Sequence, residues 1–467
     1  MPLRSEIESV RVAPEGSAWS RALRAGGGVR SEAIDEGART FREALGLPVD
    51  RAIVMSGHQP TLWHAGIAAK WLAIGAAVNA WGATPAWVVV DHDAVAPLTL
   101  DVPTIDGDGV VRRVRVLPER GEERGRAACD RPAVSTRGVR VPNDVPVEIR
   151  DRVARALELI ESQANAPDAG TQATRVMLEF LRRFSATPTI VRATSLLDAP
   201  VTRDIVERMS SEAGACVMAY NAAALKHRAT RVRPLRIAGD EIELPLWSLE
   251  RDSTRRPVYA SQVRSLLADR DARLVPRALL LTYLLRRYAC DLFVHGTGGG
   301  GDEGHEGYDA VMHDWIAGWL GGGAWLAPMG VATATVRLDL PANDDADRLA
   351  WVAHAARHNP VLADSAESAA AQETKFERVG LIARSTDRDE RARLYREMHA
   401  GLAEFRSRHA GTLADLDARA IASRASGASI ARSRTWSVLL HDTRALDELR
   451  DRVRLTLLQG THLGSIG

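Results

Sequence analysis

The hydrophobic pattern changes period along the chain, and the clearest change lies between residues 51 and 90. Arg51-Ala-Ile-Val-Met-Ser56 is a short β-branched run that ends at Gly57 and predicts a buried strand. Residues 61–81 are apolar on nearly every face and predict a buried helix, and residues 85–90 predict a second buried strand. Strand, glycine, helix and strand in about 40 residues form a βαβ unit, which implies a parallel sheet and a right-handed crossover. The expected fold class is therefore α/β: a Rossmann-like parallel sheet core with insertions and a helical C-terminal region.

Upstream, residues 1–50 read as a polar lead-in with one helix near 33–45. Downstream, residues 95–116 alternate like a hairpin with a Gly-Asp-Gly turn at 107–109, and 118–145 are rich in Arg, Gly and Pro and read as an irregular insertion. Helices are predicted at 147–165, 171–184, 201–213, 277–288 and 305–320. Strands are predicted at 188–193, 291–295 and 331–340, with a small hairpin at 237–246. Beyond Pro341 helices dominate, including a charged one at 387–409, with a strand at 435–440 and a last helix at 445–457. The implied organisation is 1–104 as the first half of the core, 105–187 as an insertion, 188–340 as the second half, and 341–467 as the helical region with its returning strand.

Composition narrows the function classes. Lys+Arg is 61 against Asp+Glu 60, a net charge of +1, so bulk charge points to neither a nucleic-acid nor a membrane partner. The arginines between 112 and 126 have no interleaved aromatics to stack bases. The three cysteines are far apart, as expected in a reducing cytoplasm, and no apolar run long enough to span a membrane is sustained. The first ten residues lack the apolar core of a signal peptide. Almost every basic residue is Arg; lysine stands only at 70, 226 and 375, and Lys70 is the only charged side chain between Leu62 and Val90.

Three segments carry candidate chemistry. Gly57-His58-Gln59-Pro60 through His64-Ala65-Gly66 lies between a strand and a helix, where ligands gather in open parallel sheets and helix N–H groups favour anions. Gly57, His58, Gln59 and Gly66 are the candidate nucleotide contacts there, with His64 a candidate catalytic group. Asp91-His92-Asp93 follows the next strand. In an extended chain the two carboxylates would face one way, beside Lys70, to hold an amine or Mg²⁺, with His92 a substrate contact. Finally, His295-Gly296-Thr297-Gly298-Gly299 opens a glycine loop ahead of Tyr308 and Asp309. Gly298 and Gly299 would close over a ligand, and His295, Tyr308 and Asp309 would touch substrate. His305, Asp309 and His313 are spaced to share a helix face, but they do not form the zinc-protease motif, and no metal site is assigned. Tyr220 and Asn221, in a helix opening after a strand-like 215–219, would line a second wall.

Gly57-His58-Gln59-Pro60, the apolar helix with Lys70, and Val90-Asp91-His92-Asp93 resemble the N-terminal signature of the cysteine-adding enzymes of bacillithiol biosynthesis, the BshC family. There a Gly-Gln-Gln element precedes a helix and an Asp-His-Asp follows the next strand. Tyr220-Asn221, the glycine loop and the Trp436-Ser437 segment are also similar to family features, so the resemblance spans most of the chain. It implies a ligase joining cysteine to malyl-glucosamine or a similar amine acceptor, with small-molecule substrates and a homodimer; ATP, the usual source of carboxylate activation, and Mg²⁺ on the two carboxylates are the expected cofactors. The rival expectations are a nucleotide-binding transferase of class I synthetase-like fold with another substrate, and a non-catalytic ligand-binding paralogue.

Overall fold

The computed structural model describes residues 5–459 apart from 34, 106–109, 120, 303, 323–324, 341–345, 364 and 426. Twelve strands run in chain order among the described residues. They are β1 (Ser5–Ala13), β2 (Ile53–His58), β3 (Thr84–Val89), β4 (Leu100–Ile105), β5 (Val111–Leu117), β6 (Thr189–Arg192), β7 (Ile237–Ala238), β8 (Glu241–Leu249), β9 (Arg255–Tyr259), β10 (Arg273–Pro276), β11 (Leu292–His295) and β12 (Met329–Leu338).

Six of them form the central sheet in the order β1-β12-β11-β2-β3-β6, parallel throughout except for β1. Numbered by sequence, the five parallel strands read 5-4-1-2-3 across the sheet, the doubly wound Rossmann-like order. From β2 the chain winds outward through β3 and β6, then returns to the other side of β2 for β11 and β12. The direction therefore reverses between β2 and β11, and that reversal point is where a crevice opens at the carboxyl ends of the strands. At the opposite ends of the same two strands, Asp291 accepts the Ile53 N–H at 2.8 Å and pairs with the buried Arg42 at 3.0 Å, which ties their starting points together.

The Ala65–Trp81 helix is apolar all round because it is covered all round. It lies on the sheet and is overlaid by the final helix, Thr443–Leu458. Its alanines favour the helix, and Gly82 ends it in the left-handed region at φ 70°, where a residue without Cβ costs least. Trp71 of this helix packs with Trp63 and Trp87, the three ring centroids 4.7–5.9 Å apart. A second apolar cluster fills the other face, and a third lies under the β4–β5 hairpin and the Val147–Ser162 and Ala169–Leu181 helices.

Several expectations need correction. The polar lead-in holds an edge strand, β1, and a helix, Gly16–Ala33, besides the expected Glu36–Ala44. β1 pairs only with β12 at the sheet edge, and of its side chains only Ile7 is fully buried, so no clean alternation marks it. The strand-like 215–219 is helical, within Ala213–Lys226. The expected strand at 435–440 is a single bridge between His64 and Ser437 followed by a short turn, Val438–Leu440. The 305–320 helix starts at Tyr308, so His305, paired with Asp302 in the preceding turn, does not share a face with Asp309 and His313. β9 and β10 extend the 237–246 hairpin into a second, four-stranded sheet. The Gly-Asp-Gly turn at 107–109 lies outside the described residues.

Candidate functional site

A cavity of about 680 Å³ opens at the carboxyl ends of β2, β3 and β11. Its inner wall is the point where the sheet reverses. Gly57 stands there because a Cβ would lie 2.4 Å from the Val88 carbonyl oxygen of the neighbouring strand. The Gly57 carbonyl accepts a hydrogen bond from Lys70 Nζ, which reaches it from the overlying helix. Lys70 forms no ion pair among the described residues, and burial pushes its ammonium down to about 7. The other two lysines are ordinary: Lys226 pairs with Asp314 at the surface, and Lys375 bonds His358 and Asn359.

Three histidines line this inner wall. His58 bonds the Gln59 carbonyl through Nδ1 at 3.2 Å, and burial, helped by Lys70, pushes it down to about 3. His64 caps the helix: its Nδ1 accepts the Gly66 N–H at 3.1 Å, so the neutral ring carries its proton on Nε2. Gly66 lacks the Cβ that would lie 2.9 Å from that ring. The cap occupies a helix N–H group that the sequence reading left open for an anion, and burial holds His64 at about 4.

His295 is the third histidine, and its Nε2 lies 3.0 Å from Asp309. Asp309 is itself paired with the buried Arg286. Burial raises Asp309, but His295 and Arg286 outweigh it and hold the carboxyl below its ordinary range. An ionised Asp309 fixes the His295 proton on Nε2 and leaves Nδ1 as an acceptor. Burial nevertheless keeps His295 below its ordinary value. Tyr308 stands edge-on at 5.5 Å from the His295 ring and is itself pushed up to about 12 by burial.

Asp91 and Asp93 are separated. β3 ends at Val89, so the chain turns before it reaches them and the expected same-side carboxylates do not form. Asp91 is buried against Arg192 Nε at 2.7 Å and the Thr194 hydroxyl at 2.7 Å, tying the end of β3 to the end of β6 outside the cavity. Asp93 lines the cavity, paired with Arg255 at 2.7 Å and accepting from Gln59 Nε2 at 3.1 Å. His92, between them, faces the cavity with Nδ1 buried and unpartnered, and burial pushes it down to about 4.

The glycine segment is a short helical turn, Thr297–Gly300. The amides of Gly299, Gly300 and Gly301 bond back to Gly296 and Thr297, so they do not form the expected row of free donors. Gly299 has no Cβ because one would lie 2.3 Å from His295 Nδ1, while Gly298 faces open space at the cavity. Two other assigned residues are structural. Asn221 bonds the Leu235 backbone in both directions, and Asp309 acts through His295 without lining the cavity. Tyr220 does line it, edge-on to Trp315 at 5.3 Å.

The outer wall escaped the sequence reading. The second sheet contributes Trp247, with Arg277 stacked 3.7 Å from its ring centre and Arg255 at 5.5 Å. Glu243 and the Leu246 carbonyl hold Arg277 in place. Arg231 and Arg434 add exposed guanidinium groups that form no ion pair among the described residues. Lys70 and four arginines against the single lining carboxylate, Asp93, make this an anion-accepting cavity in a chain of net charge +1. The arginines suit the phosphates of a nucleotide or the carboxylates of a small acid. A resident Mg²⁺ fits poorly: among the described residues no cluster of three or more candidate ligands exists, and Asp93 is already paired. No helix among the described residues is long and apolar enough to cross a membrane. A scan against protein-family models and a search of curated proteins found no match.

Proposed function

We propose that this protein is an amide-forming ligase that joins the carboxyl of cysteine to the amine of malyl-glucosamine or a similar anionic acceptor. The observation that carries the reading is Lys70, an amine held near pH 7 by burial at the reversal point of the sheet, with no carboxylate beside it. An acceptor amine must lose a proton before its nitrogen can attack, and a group titrating near the working pH takes that proton best. Lys70 Nζ receives it and, once protonated, neutralises charge developing on the attacked carboxyl oxygen. His295 Nδ1, set by Asp309, is the second acceptor position, and the His64 Nε2–H is a fixed donor. The arginines of the outer wall hold the acidic acceptor, and Asp93 can receive a substrate ammonium. ATP, when bound, would supply the leaving group that makes the carboxyl reactive. The resemblance of residues 57–93 to the cysteine-adding enzymes adds the substrate pair.

A second reading, a nucleotide-dependent transferase with another acceptor, is favoured by His58 standing where that family has glutamine. Mass spectrometry of the pure protein with cysteine, malyl-glucosamine, ATP and Mg²⁺ separates them. The dehydrated adduct, lost in Lys70→Met, is the expected product. A folded protein that binds nucleotide and forms no adduct would favour the transferase, and ligand binding without turnover of any acceptor would favour a non-catalytic paralogue.

A further inference from the structure

A second cavity, of about 570 Å³, lies between the Val147–Ser162 and Ala169–Leu181 helices and the segment 439–443. It shares no lining residue with the switch-point cavity. Its floor is apolar and aromatic, built from Leu159, Phe180 and the buried Phe184. At its inner end stands His441, 4% exposed, whose Nδ1 lies 3.0 Å from the Ser5 hydroxyl and whose Nε2 has no hydrogen bond. The Trp436 backbone lies near the ring as well. A buried ring nitrogen left without a partner is costly unless a ligand or water completes it.

The charged rim carries both signs. Glu148, Asp151, Arg152 and Arg155 share one helix face, at steps of three and four residues. Glu148, Asp151 and Arg155 form neither a hydrogen bond nor an ion pair among the described residues. The other lining acids are engaged: Asp442 accepts the Ser5 and Ala445 N–H groups, and Glu179 pairs with Arg182. What remains is one cation, Arg155, beside two anions, Glu148 and Asp151, above an aromatic floor, with one buried polar atom to satisfy.

We propose that this cavity is a second binding site, for a hydrophobic α-amino acid. Its carboxylate would meet Arg155 and its ammonium Glu148 and Asp151. Its side chain would lie on Phe180 and Phe184, and a water trapped beneath it would complete the buried His441 nitrogen. A lone acid or a lone amine leaves one half of the rim unanswered, so the zwitterion is the class the rim selects.

Calorimetric titration of the full chain with L-phenylalanine, 3-phenylpropanoate and 2-phenylethylamine tests it. L-Phenylalanine is expected to bind at least about tenfold more tightly than either single-charge analogue, since each analogue forfeits one charge-assisted contact with the rim. Arg155→Ala and Glu148→Gln, both on the wet side of the helix, are each expected to weaken it about tenfold, and Leu159→Trp to block it. Lys70→Met should leave it unchanged. Equal binding of an analogue, survival in Leu159→Trp, loss in Lys70→Met, or no heat at millimolar ligand would each overturn the proposal.

Discussion

The two walls of the switch-point cavity use charge in opposite ways. On the inner wall Lys70, His58 and His295 are stripped of water and packed against parallel strands, so their proton affinities fall: the two histidines sit below their ordinary value, and Lys70, pushed down to about 7, exchanges its proton near neutral pH. On the outer wall the guanidinium groups of Arg255 and Arg277, too basic to lose their protons, are held in place by Asp93 and Glu243; burial lowers Arg277 and Glu243 offsets part of that. Burial leaves groups that exchange protons near neutral pH; pairing at the rim leaves groups with a fixed charge. One cavity obtains both because an enclosed parallel sheet faces a smaller antiparallel one.

That contrast can be broken at the inner wall first. Lys70→Met is expected to lower turnover about a thousandfold, as loss of a proton-transfer group does, while raising stability. The sign follows from its depressed folded value. Between about pH 7 and 10.5 the unfolded chain binds the proton that the folded chain has lost, so the wild type gains stability as pH rises through that window. Below pH 7 its burial penalty is at its largest, a few kcal/mol at about 1.4 kcal/mol per pH unit. The melting-temperature advantage of Lys70→Met over wild type should therefore be largest near pH 6 and shrink towards pH 10; an advantage that does not change with pH would mean Lys70 is not desolvated.

Gly57→Ala is expected to cost about 3 kcal/mol in denaturant unfolding, because its Cβ meets Val88 backbone that cannot yield. Gly298→Ala, with open space around it, should change stability by less than about 0.5 kcal/mol. Similar losses at the two glycines would show that the inner strands are not packed as described. Arg255→Gln on the outer wall should raise KM about tenfold with kcat nearly kept, the mark of an ion-holding group, and a fall in kcat alone would move Arg255 to the chemistry. Acid lability sums over several groups. His64, His92 and His441 sit near 4 when folded, so each withdraws about 1.4 kcal/mol per pH unit and stability should decline as pH falls from about 6.5 towards 4, followed by thermal melts across that range.

The walls also differ in how far the sequence announced them. Residues 51–90 predicted β2, the apolar helix and β3 because elements buried on both faces are written as continuous apolar runs, and Lys70 stood out as the single charge among them. The glycines at 57 and 298–299 were read as ligand-facing, yet 57 and 299 are demanded by a neighbouring carbonyl and a histidine ring. Trp247, Arg255 and Arg277 gave no signal, because their part in the site depends on where the second sheet packs. Asp91 and Asp93 were paired on paper by a strand that in fact ends two residues earlier, so one clamps β6 and the other faces the cavity.

By itself the sequence determined the α/β class, the βαβ unit and the isolation of Lys70, since local hydrophobic period and the cost of a lone charge act over neighbouring residues. Only the tertiary structure decided which carboxylate meets which arginine, which histidine nitrogen carries the proton, and that β2 and β11 lie side by side. Those facts come from contacts between residues up to about 240 positions apart, as in the Ser56–Val294 and Ile53–Asp291 bonds, and no local pattern encodes them.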